Sequence, residues 1–154
     1  MSAGRAAANL FRISSLLDEA IALAIELRAY LERRREPASG AAGELAVLAE
    51  ARELAQLSAM LSYCLAWLVT REAVHAGELL PQDARGAGYR LGGAELRQDE
   101  LRQDPRALPW AAVSPPLAVL AQRGRRLYER VARLDGHAAT TDASGRVVSA
   151  AAGH

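Results

Sequence analysis

A chain of 154 residues is the size of one domain, and 51% hydrophobic residues supply enough apolar surface for a sizeable core. Its 19 basic residues, all arginine, against 18 acidic ones leave a net charge of +1, so no global field draws it to nucleic acid or an anionic membrane. Aromatics at 5% and abundant alanine disfavour a sheet and predict an all-α protein.

Residues 1–8 have nothing to bury and read as a flexible N-terminus, after which Asn9 caps a first helix over about 10–35. Leu10, Ile13, Leu17, Ala20, Ala24, Leu27 and Leu31 recur in steps of three and four, with Leu16, Leu23 and Tyr30 alongside. Arg33, Arg34 and Arg35 fall at the carbonyl end of the dipole, and Pro37 ends the helix. The link EPASGAAG is short, which predicts a helical hairpin.

The second helix, 44–76, is the beam of the predicted fold. Its seam is Val47, Ala51, Leu54, Ser58, Leu61, Leu65 and Leu68, widened by Leu57 and Cys64. Glu44, Glu50 and Glu53 near its start and Arg71 and His75 near its end complement the dipole, and Gly77 supplies a left-handed stop. The uncharged run Leu54–Thr70 is shorter than the roughly 18 to 20 apolar residues of a membrane span. Arg12, Asp18 and Glu19 interrupt any signal-peptide core. The lone Cys64 reads as a small buried residue, and with no disulfide to form, a reducing, cytoplasmic setting is expected.

Residues 77–113 form an irregular crossover in which Leu79, Leu80, Tyr89 and Leu91 fold back on the hairpin. Within it the unit ELRQD occurs twice in tandem, at 95–99 and 100–104; Leu96 and Leu101 are five apart and share no helical face, so the duplication reads as an exposed insertion. Prolines at 105, 109, 115 and 116 surround Trp110, whose indole is expected to plug an end of the bundle. Ser114 followed by Pro115 starts a third helix over 115–134, with a seam of Leu117, Leu120, Gly124, Leu127, Val131 and Leu134, which completes an antiparallel three-helix bundle with a long second helix. A glycine inside that seam predicts a close crossing with the second helix near Tyr63 or Trp67. Residues 136–154 are Ala/Ser/Thr/Gly-rich, with Val147 and Val148 the only bulky apolar side chains, and read as a disordered tail.

Glu72 and His75 have the Glu-x-x-His spacing of carboxylate-bridged metal bundles, but such a site needs a second copy and further carboxylates, and the other histidines are His137 and His154. No metal or cofactor is expected, and His75 reads as a dipole partner. Arg123, Arg126, Arg130 and Arg133 line one side of the third helix. They either contact phosphate, making the protein a nucleic-acid-associated regulator, or pair with Asp18, Glu19, Glu26 or Glu50 across the bundle; the second reading is favoured. No nucleophile stands beside a base, and GAGYRLGG follows no strand, so neither an enzyme nor a phosphate loop is indicated.

Three stretches, FRISSLLDEAIALAIELRAYL, AWLVTREAVHAGEL with YRLGG, and LYERVARLD, together resemble the alphaproteobacterial RcdA-like proteins, regulators of CtrA degradation. The resemblance covers about Phe11 to Asp135. It implies a three-helix bundle, usually dimeric, that serves as a non-enzymatic adaptor for the ClpXP protease. Its partners would be the protease ATPase, other adaptors and the regulators being degraded, and its C-terminal tail would take part in delivery. The surface expected to meet them comprises His75, Glu78, Tyr89, Arg90, the four arginines of the third helix, and Asp142, Arg146, Val147 and Val148 in the tail. An apolar face left over on the first helix is where a second copy would fit. The duplication and the proline-rich stretch depart from the plainer connection expected of the family.

Overall fold

The structure, a computed structural model, describes residues 2–34, 41–95 and 113–151, with side chains from 139 onward and at a few helix starts left out. The ELRQD repeat beyond Glu95, Trp110 and the EPASG link therefore lie outside the described residues. Three α-helices, α1 (Ser2–Arg33), α2 (Ala41–Ala76) and α3 (Pro115–Ala151), each pack on the other two, and two single-turn 3-10 helices, Asp83–Arg85 and Ala87–Tyr89, follow α2. No strand occurs among the described residues.

Cross-helix bonds fix the directions. Ser14 bonds Glu72 and Tyr30 bonds Glu50, so α1 and α2 are antiparallel. Arg123 meets Glu26 and Arg130 meets Glu19, so α3 is antiparallel to α1, while Arg125 meets Glu53 and Asp135 meets Trp67, so it runs parallel to α2. Parallel neighbours require the chain to return the length of the bundle between them, which is why 77–113 is long.

The core is one cluster. Ile13, Leu16, Ala20, Leu23 and Leu27 come from α1, Leu57, Met60, Leu61, Cys64, Trp67 and Leu68 from α2, and Leu117, Leu120, Leu127, Tyr128 and Val131 from α3. The α3 seam is as the spacing predicts. On α2 the buried stripe is rotated toward its predicted flank: Leu57, Leu61, Cys64 and Leu68 are buried as expected, but Ala51 and Ser58 are exposed, while Ala49, Glu53 and Met60 are buried.

Gly124 is the closest approach, but its neighbours are Leu57 and Leu23 rather than Tyr63 or Trp67; a Cβ there would run into Leu57 Cδ1. Tyr63 instead lies against Gly92 and Gly93 of the crossover, where added Cβ atoms would come within 2.5 and 2.8 Å of the ring. Gly93 also has φ +86°, a conformation open mainly to glycine.

Helix ends follow their local chemistry, with two extensions. Gly77, at φ 77°, closes α2: its N–H donates to Val74 O and the Glu78 N–H donates to Ala73 O at 2.9 Å, a Schellman cap. The backbone of α1 is already helical at Ser2, since the alanines at 6–8 propagate the helix without needing Asn9 as a cap. Similarly, α3 continues beyond the predicted 134 to Ala151 through another alanine-rich stretch, although the last buried residue described is Asp135.

Candidate functional site

The chemistry that the seams do not absorb gathers where α2 ends. Trp67, fully in the core, must place its indole N–H against an acceptor, because an unpaired buried donor costs about 1–3 kcal/mol. Asp135 provides it: four residues past Val131 on the buried face of α3, it accepts from Trp67 Nε1 at 2.9 Å. Arg90 closes on the same carboxylate from the crossover through Nε, 2.9 Å from Oδ1, and Nη2, 2.7 Å from Oδ2. Burial alone would raise the Asp135 pKa, but the bonds from Arg90 and Trp67 and the Arg90 charge outweigh it and hold the carboxyl below its ordinary value. Two residues on, Gly92 O accepts from the Tyr128 hydroxyl at 2.7 Å. The stretch YRLGG is thereby fastened to α3 by hydrogen bonds and lies against Tyr63 of α2.

Beside this clamp is a groove of about 330 Å3 between the α1 start, the α2 end, the first 3-10 turn and α3. Ile13 and Trp67 form its buried floor, with Val74 and Leu134 half-buried on its walls. Arg71 and His75 from α2, Arg85 from the first 3-10 turn and His137 from α3 supply its polar lining. The Arg71 guanidinium lies 5.0 Å from the centroid of the Trp67 ring, a cation–π contact. Asn9 and Pro81 complete the ends. No acidic side chain lines the groove among the described residues.

The predicted site residues divide. His75 is exposed on the groove rim, and Glu78 is exposed just past the α2 cap. Of the four crossover residues predicted to fold back, Leu91 packs against the core and Leu79 is half-buried, whereas Leu80 and Tyr89 are exposed; Ala84 is buried as well. Arg90, predicted to face a partner, is committed to Asp135, though nearly half of its side chain remains open to solvent. The arginine stripe of α3 splits by register. Arg123 pairs with Glu26 and Arg130 with Glu19, tying α3 to α1, while Arg126 and Arg133 are exposed. The Arg123 hydrogen bonds hold the Glu26 carboxyl below its ordinary pKa and raise that of Arg123. Two partners of the stripe were thus correctly anticipated, which removes half of its charge from a phosphate-binding reading. Asp142, Arg146, Val147 and Val148 lie on helical backbone whose side chains are outside those described.

The spacing of apolar residues missed Arg125, which meets the buried Glu53 at 2.8 Å on the α2 side of the seam. It also missed Asp135. A polar residue landing on a buried stripe was the available signal in both cases: Glu53 lies four before Leu57 and Asp135 four after Val131. Glu72 is engaged by Ser14 Oγ at 2.9 Å, and no group of three or more metal-ligating side chains occurs among the described residues. No helix is long and apolar enough to cross a membrane among the described residues.

No curated protein and no solved structure matches the chain. A family profile does, over residues 5–152, which takes in all three helices, the clamp and the groove; the chain belongs to the family described as "Protein of unknown function (DUF1465)".

Proposed function

We propose that this protein is a non-enzymatic adaptor of the RcdA-like kind, which brings regulatory proteins to a ClpXP-type protease in the cytoplasm. The observation that carries the reading is a convergence. The stretches that resemble RcdA-like proteins are far apart in sequence, yet Ile13, Trp67, Arg71, Val74, His75, Arg90, Leu134 and Asp135 from them meet at one end of the bundle, around an open groove. Packing alone gives no reason for an open groove lined by arginine and histidine at that end. A rigid scaffold with one such surface suits tethering, in which a protease acts faster on a substrate because the substrate is held near it.

A second copy fits the outward face of α1, where Phe11 is 78%, Ile25 63% and Ile21 45% exposed, on the side opposite the core. The adaptor reading is tested by reconstituted proteolysis of candidate regulators with purified ClpXP, with and without the full chain. Faster turnover in its presence is expected. Unchanged turnover of every regulator captured with the protein from native lysate would overturn the reading.

A further inference from the structure

We infer that two copies of this chain associate through the outward face of α1 in one reversed register, with Ile21 of each copy on Ile25 of the other and Asp18 of each on Arg28 of the other. The inference rests on the reading above that a second copy covers α1, and adds the direction and register in which it does so.

Two lines of side chains run along α1, and the core uses one of them. The other is Ser14, Asp18, Ile21, Ile25, Arg28 and Glu32, in alternating steps of four and three. All are exposed except Ser14, which is half-buried and bonded to Glu72. A repeat averaging about 3.5 residues keeps such a line facing a partner helix over its whole length. Level with Ile21 and Ile25, between the Ser14–Glu72 and Tyr30–Glu50 bonds, α2 exposes Ser58 and Ser62 within a run, Leu54–Thr70, that holds no charge. The middle of this side of the bundle thus lacks charge, as the centre of an interface does, and Asp18 and Arg28 stand on either side of it.

Those two charges fix how a second copy lies on the face. Asp18 is three residues before Ile21 and Arg28 is three after Ile25, so the line is its own complement when read backwards. Turning a second α1 end for end, about a two-fold axis level with Leu23, sets Ile21 on the partner's Ile25, Asp18 on the partner's Arg28 and Ser14 on the partner's Glu32. Among the described residues nothing in its own chain pairs with Asp18. Arg28 is bonded to Glu32 through Nε, so its Nη groups can donate to the incoming carboxylate while that bond stays. Other alignments are worse. Two helices running the same way would set Asp18 on Asp18 and Arg28 on Arg28. Sliding the reversed copy by one heptad would set Ile21 against the partner's Asp18 or Glu32. Polar residues in a seam select register in this way.

The test is sedimentation equilibrium of the full chain, for which wild type should dimerise. Asp18→Arg sets arginine on arginine and Arg28→Asp sets acid on acid, each at both symmetric contacts, so either variant alone should associate about tenfold more weakly or worse. Mixed in equal amounts, the two variants should pair with each other to within about threefold of wild type, because both contacts of the mixed dimer are again of opposite sign. Both positions are exposed, so the helical circular dichroism of each variant should match wild type.

Single variants that dimerise within about twofold of wild type, or a mixture no tighter than either variant alone, overturn the register. In that case, weaker association of Ile21→Ser and Ile25→Ser would still leave α1 as the face that a second copy covers. A dimer indifferent to the isoleucines as well, or a wild type still monomeric at about 0.1 mM, overturns both the register and the second-copy reading. The adaptor role is judged separately, by the proteolysis assay.

Discussion

Replacing Gly124 by alanine sets two effects of similar size against each other at the centre of the bundle. In the interior of a helix, alanine is favoured over glycine by about 1 kcal/mol. Against that, the new methyl would collide with Leu57 Cδ1 and lie within 3.9 Å of Leu23 Cδ2. The colliding atom is the end of a flexible side chain, but Leu57 and Leu23 are each only 1% exposed, so neither has open space to turn into. Overpacking of this kind costs about 1–3 kcal/mol, which leaves Gly124→Ala net destabilising by roughly 0–2 kcal/mol, and Gly124→Leu by more. The decisive measurement is a double-mutant cycle in urea or thermal unfolding at one fixed protein concentration. Leu57→Ala alone should cost about 2–5 kcal/mol. In that background the Gly124→Ala methyl enters the vacated space, so the substitution should become stabilising by about 1 kcal/mol, a rise of roughly 2–4 °C for a domain of this size. The signature is thus a change of sign between backgrounds. If Gly124→Ala has the same effect with and without Leu57, the close crossing is not what fixes glycine at this position.

Asp135→Ala should destabilise by about 2–4 kcal/mol, because it strands the Trp67 N–H in the core and releases Arg90, and Trp67→Phe should shrink that loss in a cycle of thermal midpoints. The folded pKa of Asp135 is lowered, so its contribution is complete above the ordinary value of 3.8 and is lost as pH falls through the folded value; the stability gap between wild type and Asp135→Asn should narrow on acidification below 3.8. Arg125→Ala should cost about 3 kcal/mol by leaving Glu53 buried without its cation, whereas Arg125→Leu combined with Glu53→Leu should recover most of it in chemical denaturation. Burial pushes the Cys64 thiol from 9.0 up to about 12, so at pH 8 roughly one thiol in ten thousand is ionised; labelling by a thiol reagent should be negligible in the native protein and prompt in denaturant. Deleting residues 139–154 leaves every described core and groove side chain in place, so the thermal midpoint should hold; a large drop would make that stretch part of the fold.

The helices were legible because their information is local. Leu117 through Leu134, with Gly124 among them, marks a buried line on α3 whatever it packs against, and Gly77 marks a helix end by its own backbone freedom. On α2 the same argument was ambiguous. The series Val47, Ala51, Leu54, Ser58 and the series Ala49, Glu53, Leu57, Met60 both advance in steps of three and four, and only the second contains a charge. That charge is buried because Arg125, 72 residues away, neutralises it, and periodicity carries no such knowledge. The candidate site was half legible for the same reason. Trp67 in a core stripe announces that an acceptor exists somewhere, but which carboxylate answers, and that Arg90 would be drawn in with it, depends on the parallel course of α3, which no local pattern encodes.

That course leaves the chain hung between two pegs. Gly93 is fixed against Tyr63, and Ser114 is fixed by its hydroxyl's 2.7 Å bond with Tyr30 and its N–H bond to Glu50. Even for a fully flexible connection, lengthening the stretch between the pegs from about 15 to about 20 residues raises the closure cost by only roughly 0.3 kcal/mol. A five-residue unit such as ELRQD can therefore be copied in tandem there at almost no expense to folding. Length between these two points is a quantity that mutation can vary freely, while the clamp and the groove upstream keep their register.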